Sequence, residues 1–288
     1  MNFPTSFQNQ HQDHHPGFEY EMNPKPVYDD PLYNKGSKLL DGKTALITGG
    51  DSGIGRAVSV AYAKQGADVV IVYLNEFKDA EDTKRLVEAE GKKCTLVSGD
   101  VSDPFFCRIA VQKTMDDYGK IDILVNNAAV QYECTDMKKI SNDQFDRTFK
   151  VNAYGTFYMT REALNHLKPG ASIINTSSVT AFKGSEDLID YSMTKGAIIS
   201  FTRSLSMALS KGKTGIRVNA VAPGPVWTPF IPSSFDGEKV SNFGSDVPIG
   251  RAGQPVECAG AYVFLASENA SYITGQTIHV NGGEIVNS

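Results

Sequence analysis

Short β-branched runs alternate with amphipathic stretches along most of the chain, and this alternation limits the folds that the chain can adopt. The runs cover residues 44–48, 68–73, 94–98, 121–126, 172–177, 216–221 and 277–280. The amphipathic stretches between them cover residues 54–65, 78–90, 105–118, 142–166, 191–210 and 256–266. Several runs are apolar without alternation, as strands buried on both faces are. The pattern predicts an α/β fold with a single doubly wound domain, in which a parallel sheet of about seven strands carries helices on both faces.

The charge and the histidine content exclude several classes of protein. A formal net charge of −5 disfavours a nucleic-acid partner, because proteins that bind nucleic acid gather phosphates on a basic surface. No apolar run reaches membrane-spanning length, and the N-terminus lacks a signal pattern, so we expect a cytoplasmic protein with no membrane partner. Outside the N-terminal segment the histidines are His166 and His279, and the four cysteines lack C-x-x-C spacing. We therefore expect no metal site.

Residues 1–40 differ from the rest, and we interpret them as an N-terminal extension that precedes a catalytic domain at residues 41–288. Prolines recur in this extension, and no helical or strand period is visible, which is typical of a flexible arm. It nevertheless carries more aromatic residues than a fully solvated arm usually does, namely Phe3, Phe7, Phe18, Tyr20, Tyr28 and Tyr33. We expect a partly ordered arm that lies along the body or on a neighbouring subunit.

A glycine-rich turn follows the first predicted strand and begins the first predicted helix. Its sequence is Thr48-Gly49-Gly50-Asp51-Ser52-Gly53-Ile54-Gly55, a T-G-x-x-x-G-x-G arrangement. At such a junction the backbone N–H groups of a helix N-terminus can bind a pyrophosphate, and the missing β-carbons allow close approach. Arg56 follows Gly55 where a P-loop would have lysine, so a P-loop is excluded. A plain glycine turn is the alternative, but the position after the first strand favours dinucleotide binding in a Rossmann-type domain.

The end of the second predicted strand bears on the identity of the cofactor. A carboxylate commonly ends this strand and binds the adenosine ribose. Here Tyr73, Leu74 and Asn75 lead to Glu76, with no acid directly at the strand end and no arginine for a 2′-phosphate. Because Glu76 would repel a phosphate, we expect NAD or NADP as the cofactor and favour NAD.

A tyrosine and a lysine four residues apart suggest proton transfer. Tyr191 and Lys195 share one face of a predicted helix. A free phenol has a pKa of about 10, and a nearby ammonium lowers it, so the phenol can exchange a proton with a substrate oxygen. A surface pair is the alternative for this common spacing. Ser178 ends a predicted strand, where it could polarise a carbonyl or cap a helix.

Taken together, these motifs resemble the short-chain dehydrogenase/reductase family in its single-domain form, over roughly residues 40–288. The resemblance rests on the glycine-rich turn at 48–55 and on motifs that follow it in order, namely Asp100-Val101, Asn126-Asn127-Ala128-Ala129, Asn152, Ser178, Tyr191-x-x-x-Lys195 and Pro223-Gly224. The family has Asn-Asn-Ala-Gly where this chain has Asn-Asn-Ala-Ala, a small change. The long arm lies outside the common core and resembles a bacterial stress-protein-like subgroup.

The resemblance implies an NAD(P)-dependent oxidoreductase that acts on a small alcohol or carbonyl compound. Tyr191 is then the general acid/base, Lys195 lowers its pKa and holds the nicotinamide ribose, Ser178 orients and polarises the substrate, and Asn152 helps hold a proton-relaying water. The implied cofactor contacts are Thr48, Gly49, Asp51, Ser52, Gly53, Ile54, Gly55, Tyr73, Leu74, Asp100, Val101, Asn126, Ala128, Tyr191, Lys195, Pro223, Gly224, Val226 and Thr228. Of these, Asp100 meets the adenine edge, and Val226 and Thr228 meet the nicotinamide carboxamide.

Two further expectations concern the lid and the assembly. The segment 227–254 mixes aromatic residues with glycine and proline, and we interpret it as a lid over an uncharged carbonyl or alcohol, with a plain long loop as the alternative. The stretches 142–166 and 191–210 have apolar residues on more than one face, and the last strand resembles the family's two-fold edge strand. A homotetramer is expected, although packing within one subunit also explains most of the apolar pattern.

Two other functional classes were weighed against the oxidoreductase. A catalytically silent nucleotide-binding regulator on the same fold is the main alternative, because fold does not determine function. Degenerate catalytic positions would favour it, and none is seen. A sugar-nucleotide epimerase would need a G-x-x-G-x-x-G turn and a larger substrate domain, and the sequence has neither.

Overall fold

The computed structural model describes residues 3–31, 33 and 36–285, and a seven-stranded parallel sheet is its framework. The strand order is β3-β2-β1-β4-β5-β6-β7. The strands are β1 (Thr44–Thr48), β2 (Asp68–Tyr73), β3 (Cys94–Ser98), β4 (Ile123–Asn126), β5 (Ser172–Thr176), β6 (Arg217–Pro223) and β7 (Thr277–Val280). The order reverses between β1 and β4, and such a switch point opens a crevice at the carboxyl ends of the strands.

Helices cover both faces of this sheet, so the predicted doubly wound α/β architecture is confirmed. They are α1 (Gly53–Lys64), α2 (Phe77–Ala89), α3 (Pro104–Tyr118), α4 (Asn142–Phe149), α5 (Gly155–Ala163), α6 (Thr180–Lys183), α7 (Ile189–Lys211), α8 (Gly237–Ser241) and α9 (Pro255–Ala266). Successive β1 residues face opposite core clusters. Ile47 packs in the cluster that contains Tyr62 of α1 and Tyr262 of α9, whereas Leu46 packs in the cluster that contains Met159 of α5. This alternation explains why the strands are apolar throughout.

The predicted single helix over residues 142–166 is wrong. The chain forms α4, then a π-helical turn at Lys150–Tyr154, and then α5, which ends at Ala163. The Gly155 N–H donates to the Lys150 carbonyl, which is the wider i→i+5 bond of a π turn. Gly155 also lies close to the side chain of Val101, since a Cβ added at Gly155 would lie 2.9 Å from Val101 Cγ2. Tertiary contact therefore sets the local winding, and the apolar pattern alone does not record it.

The N-terminal arm, here defined as residues 3–31, lies along the body of the same chain. Phe3, Phe7 and Met22 are buried. The Phe7 ring stacks on Trp227 with 3.7 Å between the ring centroids, and the two planes are 7° apart. Other aromatic residues of the arm also pack on the body, since the Phe3 ring lies against Arg251 and the Tyr28 ring against Arg56. Within the described residues, no helix is long and apolar enough to cross a membrane.

Candidate active site

A cavity of about 320 Å³ lies at the carboxyl ends of the central strands. This volume is in the range of small-molecule sites. Most of the residues predicted from the sequence line it, namely Gly49, Asp51, Ser52, Gly53, Ile54, Tyr73, Leu74, Asp100, Val101, Ala128, Ser178, Tyr191, Lys195, Pro223, Gly224, Val226 and Thr228. Thr48, Gly55, Asn126 and Asn152 are absent from the cavity wall, as far as the described residues define it.

The glycine-rich turn has a backbone that only glycine tolerates well. Gly49 and Gly53 have φ of +60° and +52°, the left-handed region. An added Cβ at Gly55 would lie 1.8 Å from the Gly49 carbonyl oxygen, and one at Gly53 would lie 3.0 Å from Thr228. The turn therefore brings bare backbone and the N-terminus of α1 to the cavity. This arrangement fits a dinucleotide, because the N–H groups and the helix dipole favour a pyrophosphate there.

Thr48 and Asn126 act from behind the wall. The Thr48 hydroxyl accepts hydrogen bonds from the N–H groups of Asn127 and Ala128, at 2.9 and 3.1 Å. The Asn126 side-chain amide donates to Thr160 Oγ1 of α5 at 2.9 Å and to Asn175 Oδ1 of β5 at 2.8 Å. These bonds fix the loop after β4 relative to β1. The expected contacts of these two residues with the cofactor stay a prediction, and in this structure both side chains bond within the protein.

Asn152 is fully buried in the π turn, and its side chain is engaged on both sides. Its Oδ1 accepts from the Val130 N–H at 2.8 Å, and its Nδ2 donates to the Val130 carbonyl at 2.8 Å and to Thr194 Oγ1 at 3.1 Å. Its own carbonyl accepts from the Thr156 hydroxyl at 2.8 Å. The predicted role of Asn152, which is to help hold a proton-relaying water, stays a prediction. In this structure its side chain ties the π turn to Thr194, the residue before Lys195.

Tyr191, Ser178 and Lys195 meet in the cavity at the ends of β5 and α7. The Lys195 Nζ lies 5.4 Å from the Tyr191 ring centroid and donates to the Thr176 carbonyl at 2.8 Å. Burial raises the pKa of Tyr191 well above its usual value, and the Ser178 hydroxyl offsets part of that rise. Burial lowers the pKa of Lys195 from 10.5 to about 7. Desolvation therefore dominates the pKa of Tyr191, and Lys195, whose own charged form is disfavoured by burial, does not lower it in this structure.

Carboxylates dominate the end of the cavity near β2. The Glu76 Oε2 accepts from the N–H groups of Leu74 and Asn75, at 3.2 and 3.0 Å. Burial and the charge of Glu76 raise the pKa of Asp51 to about 7, and burial raises the pKa of Glu76. Both residues line the cavity. Two neighbouring carboxyl groups therefore lie at this end, where they would disfavour a phosphate.

Asp100 has a different setting at the same end. It forms an ion pair with Arg147, with 2.6 Å between Oδ2 and Nη1. Burial alone would raise its pKa, but the Ser102 N–H and Arg147 lower it below the usual value. Arg147 also lines the cavity, and the sequence-based predictions missed it because no local motif surrounds it. The charged form of Asp100 is thus stabilised beside the predicted adenine position.

The segment predicted as a lid covers the other end of the cavity. Its aromatic side chains Phe230, Phe235 and Phe243 line the wall. Lys239 of α8 joins this segment to the body, since it forms ion pairs with Glu133, at 2.7 Å, and with Asp187. These ion pairs attach α8 to two loops of the body.

Several wall residues were missed by the sequence-based predictions. They come from four separate parts of the chain and are Pro16, Gly17, Gln131, Lys183 and Glu284. Lys183 and Glu284 form an ion pair. No motif marks these residues, because only the folded chain brings them together. The order of the polar residues along the chain gives no signal for such a wall.

Comparison with known proteins defines the class. The family model described as enoyl-(acyl carrier protein) reductase matches residues 49–284. The uncharacterized oxidoreductase YhxC of Bacillus subtilis is 60% identical over 96% of both chains. The glucose and ribitol dehydrogenase of Daucus carota is 48% identical over 98% of both, and the NADPH-dependent aldehyde reductase 1 of Arabidopsis thaliana is 47% identical over 97% of this chain and 98% of that protein.

A solved structure agrees with these relatives. The short-chain dehydrogenase of Burkholderia cenocepacia in complex with NADP superposes with a TM-score of 0.80 at 31% identity, covering 85% of this chain and 98% of that one. The protein is thus an NAD(P)-dependent oxidoreductase, and the alternative of a silent regulator is not supported. More specifically, the chain belongs to the short-chain dehydrogenase/reductase family.

The lowered pKa of Lys195 predicts how stability depends on pH. Between pH 7 and about 10 the unfolded chain carries a proton on Lys195 that the folded chain lacks, so the free energy of unfolding gains a contribution that rises with pH. Lys195→Met removes this contribution. Denaturant unfolding across this range is expected to show a more positive slope for the unmodified protein than for Lys195→Met.

The exposed Lys211, at the end of α7, offers the matched control. Lys211→Met should retain the slope of the unmodified protein. Parallel pH dependences for the unmodified protein and Lys195→Met would show that the folded protein keeps Lys195 charged.

Proposed function

We propose that Tyr191 exchanges the proton with the substrate oxygen, that Ser178 polarises this oxygen and that Lys195 holds the nicotinamide ribose. The bound dinucleotide supplies or accepts the hydride. Burial keeps the Tyr191 phenol protonated at neutral pH, so it is a hydrogen-bond donor ready to stabilise a developing alkoxide. Ser178 is a second donor beside it. Phe230, 6.1 Å from the Tyr191 ring, helps to exclude water from the pair.

One observation carries this proposal. Tyr191, Ser178 and Lys195 share a single cavity with the glycine-rich turn, although they come from different elements. Around this cavity we assign the dinucleotide to the wall residues named above, with the adenine beside Asp100 and the carboxamide beside Val226 and Thr228. We also keep the division into an extension at 1–40 and a catalytic domain at 41–288 with a lid near 227–254.

Tyr191→Phe tests the proposed acid/base. The phenylalanine keeps the ring and loses the hydroxyl, so kcat is expected to fall by about 10²-fold or more while the cofactor still binds. Steady-state assays and a cofactor titration measure both quantities. Tyr118→Phe is the control, because its hydroxyl bonds to Thr95, outside the cavity. A Tyr191→Phe enzyme with unchanged turnover would exclude the mechanism.

The preference for NAD over NADP is proposed from the acidic residues near β2. The Arabidopsis relative is named NADPH-dependent, and the Burkholderia structure contains NADP, so relatives of this chain use the phosphorylated cofactor. In this chain, however, Glu76 is anchored by two backbone N–H groups at the end of β2, and Asp51 lies beside it. A 2′-phosphate there would meet like charge in a buried setting, which is unfavourable.

Cofactor competition tests this preference. We expect kcat/KM to be about tenfold or more higher with NAD than with NADP, since like charges at a site cost several kcal/mol. Glu76→Gln removes one negative charge and should reduce the ratio of kcat/KM with NAD to kcat/KM with NADP. Glu81→Gln, on the exposed face of α2, should leave it unchanged. A preference for NADP in the unmodified protein would contradict the proposal.

Polar residues of the cavity wall favour a substrate that carries several hydroxyl groups. Glu284 pairs with Lys183 through Oε1, and its Oε2 is buried without a hydrogen-bond partner among the described residues. Gln131 and Ser185 line the same cavity. A free carboxylate oxygen and an amide suit the hydroxyls of a sugar or polyol. The carrot relative carries the name glucose and ribitol dehydrogenase, and we propose this class of substrate here.

Glu284→Ala separates this substrate class from simple carbonyl compounds. The variant should raise KM for ribitol or glucose about tenfold or more, because a hydrogen bond to a charged group is lost. KM for a small aldehyde without hydroxyls should stay the same. Glu238→Ala, at the exposed start of α8, serves as the control. An equal change for both substrates would indicate a general disturbance of the lid and contradict a polyol subsite.

We further propose that the protein is a cytoplasmic homotetramer. Tyr154, Phe157 and Met193 leave apolar surface exposed on α5, α7 and the π turn. Strand β7 lies at the edge of the sheet, where a second copy can extend it. Sedimentation equilibrium measures the number of subunits.

A further inference from the structure

The N-terminal arm connects the lid to the glycine-rich turn. On the lid side, the Phe7 N–H donates to the Ser241 carbonyl at 3.1 Å, and the Gln12 N–H donates to the Pro232 carbonyl at 2.8 Å. The Trp227 indole N–H donates to the Pro24 carbonyl at 2.8 Å. Several bonds spread over the arm therefore hold it in one position on the body.

Glu19, further along the arm, reaches the glycine-rich turn. Its Oε2 accepts from the Gly53 N–H at 2.6 Å, and its Oε1 pairs with Arg56 of α1. Its own N–H donates to Asp79 Oδ2 at 2.8 Å, and Arg56 also pairs with Asp79 at 3.0 Å. Glu19 is 1% exposed. One buried carboxylate thus engages the N-terminus of the helix that begins the dinucleotide turn.

The carboxylate lies outside the cavity. Within the part of the chain that the structure describes, the cavity wall includes Ser52, Gly53 and Ile54 but not Glu19. Pro16 and Gly17 of the arm, in contrast, are part of the wall. Gly17 fits tightly there, because an added Cβ would lie 2.4 Å from the Pro229 carbonyl. Glu19 therefore binds the turn from its outer side and leaves the inner side open for phosphate.

We propose that Glu19 is a positioning residue for the cofactor, and that the arm completes the dinucleotide site. The Gly53 N–H and the Arg56 guanidinium are buried and need partners. Asp51, Thr83 and Asp79 accept from Nε and Nη2 of Arg56, and Glu19 accepts from its Nη1 and from the Gly53 N–H. Glu19 thereby fixes the turn in the conformation that presents its inner N–H groups. This inference rests on dinucleotide binding at the turn and goes beyond the proposed roles of Tyr191, Ser178 and Lys195.

Cofactor titrations of Glu19→Ala and Glu19→Gln test the inference. Trp227 is the single tryptophan of the chain, and it lies between cavity residues Val226 and Thr228, so energy transfer from Trp227 to bound NADH or NADPH reports binding. Glu19→Ala is expected to raise the Kd about tenfold or more, since a charged hydrogen-bond acceptor is lost. Glu19→Gln keeps an acceptor for Gly53 and should raise it less. At saturating cofactor, kcat should stay within about twofold of the unmodified value, since Glu19 touches no reacting atom.

Two control variants separate Glu19 from the arm as a whole. Glu21→Ala changes an exposed acid in the same short turn and should bind cofactor normally. Phe7→Ala loosens the arm at the lid, which the Trp227 emission reports directly, but it keeps Glu19. Cofactor binding in Phe7→Ala should be affected far less than in Glu19→Ala.

Three results would overturn the inference. The first is an unchanged cofactor Kd in Glu19→Ala. The second is a Glu19→Ala variant in which only kcat falls. The third is an equal loss of affinity in Phe7→Ala and Glu19→Ala, which would assign the effect to the attachment of the arm. If Glu19→Ala does not fold, the cofactor Kd of Glu19→Gln is compared with that of Glu21→Ala. An unchanged Kd in Glu19→Gln would then overturn the inference. An unmodified protein that binds neither cofactor would instead refute dinucleotide binding itself.

Discussion

The close approach of α1 to the end of β1 is the constraint on which the site depends. With a Cβ at Gly55, the helix could not begin where it does, because the Gly49 carbonyl would be 1.8 Å away. The approach brings the helix N-terminus to the switch point between β1 and β4, where the crevice opens. The favourable field of the helix and the free backbone N–H groups then lie at one place. The other walls of the cavity lie around this helix N-terminus.

Burial decides the protonation states at the reacting end of this crevice. Burial raises the pKa of Tyr191 and lowers the pKa of Lys195 to about 7, so at neutral pH the phenol is protonated and the lysine is only partly charged. A neutral phenol is the form that donates a proton, and Ser178 is a second donor in the same cavity. The ligand-free geometry therefore favours stabilising an oxygen that gains negative charge, which is the need of carbonyl reduction.

The sequence predicted the framework closely because strand burial and turn chemistry are local properties. The bounds of β1, β2, β3 and β7 agree with the predicted ranges, and the glycine turn lies between β1 and α1. The failures are of another kind. The π turn that holds Asn152 depends on contacts with Val130 and Thr194, which are remote in sequence. Glu19 and Glu284 likewise gain their roles from partners that only the fold supplies.

The arm changes how the two ends of the cleft relate to each other. The glycine turn and the lid come from distant parts of the sequence, and they approach each other directly at Gly53 and Thr228. Here one segment bonds to the lid through Phe7 and Gln12 and to the turn through Glu19. The bonds at the lid are several and spread over residues 7–24, whereas the bond to Gly53 comes from one buried carboxylate. The position of the turn therefore depends on Glu19 itself more than on any single attachment of the arm at the lid.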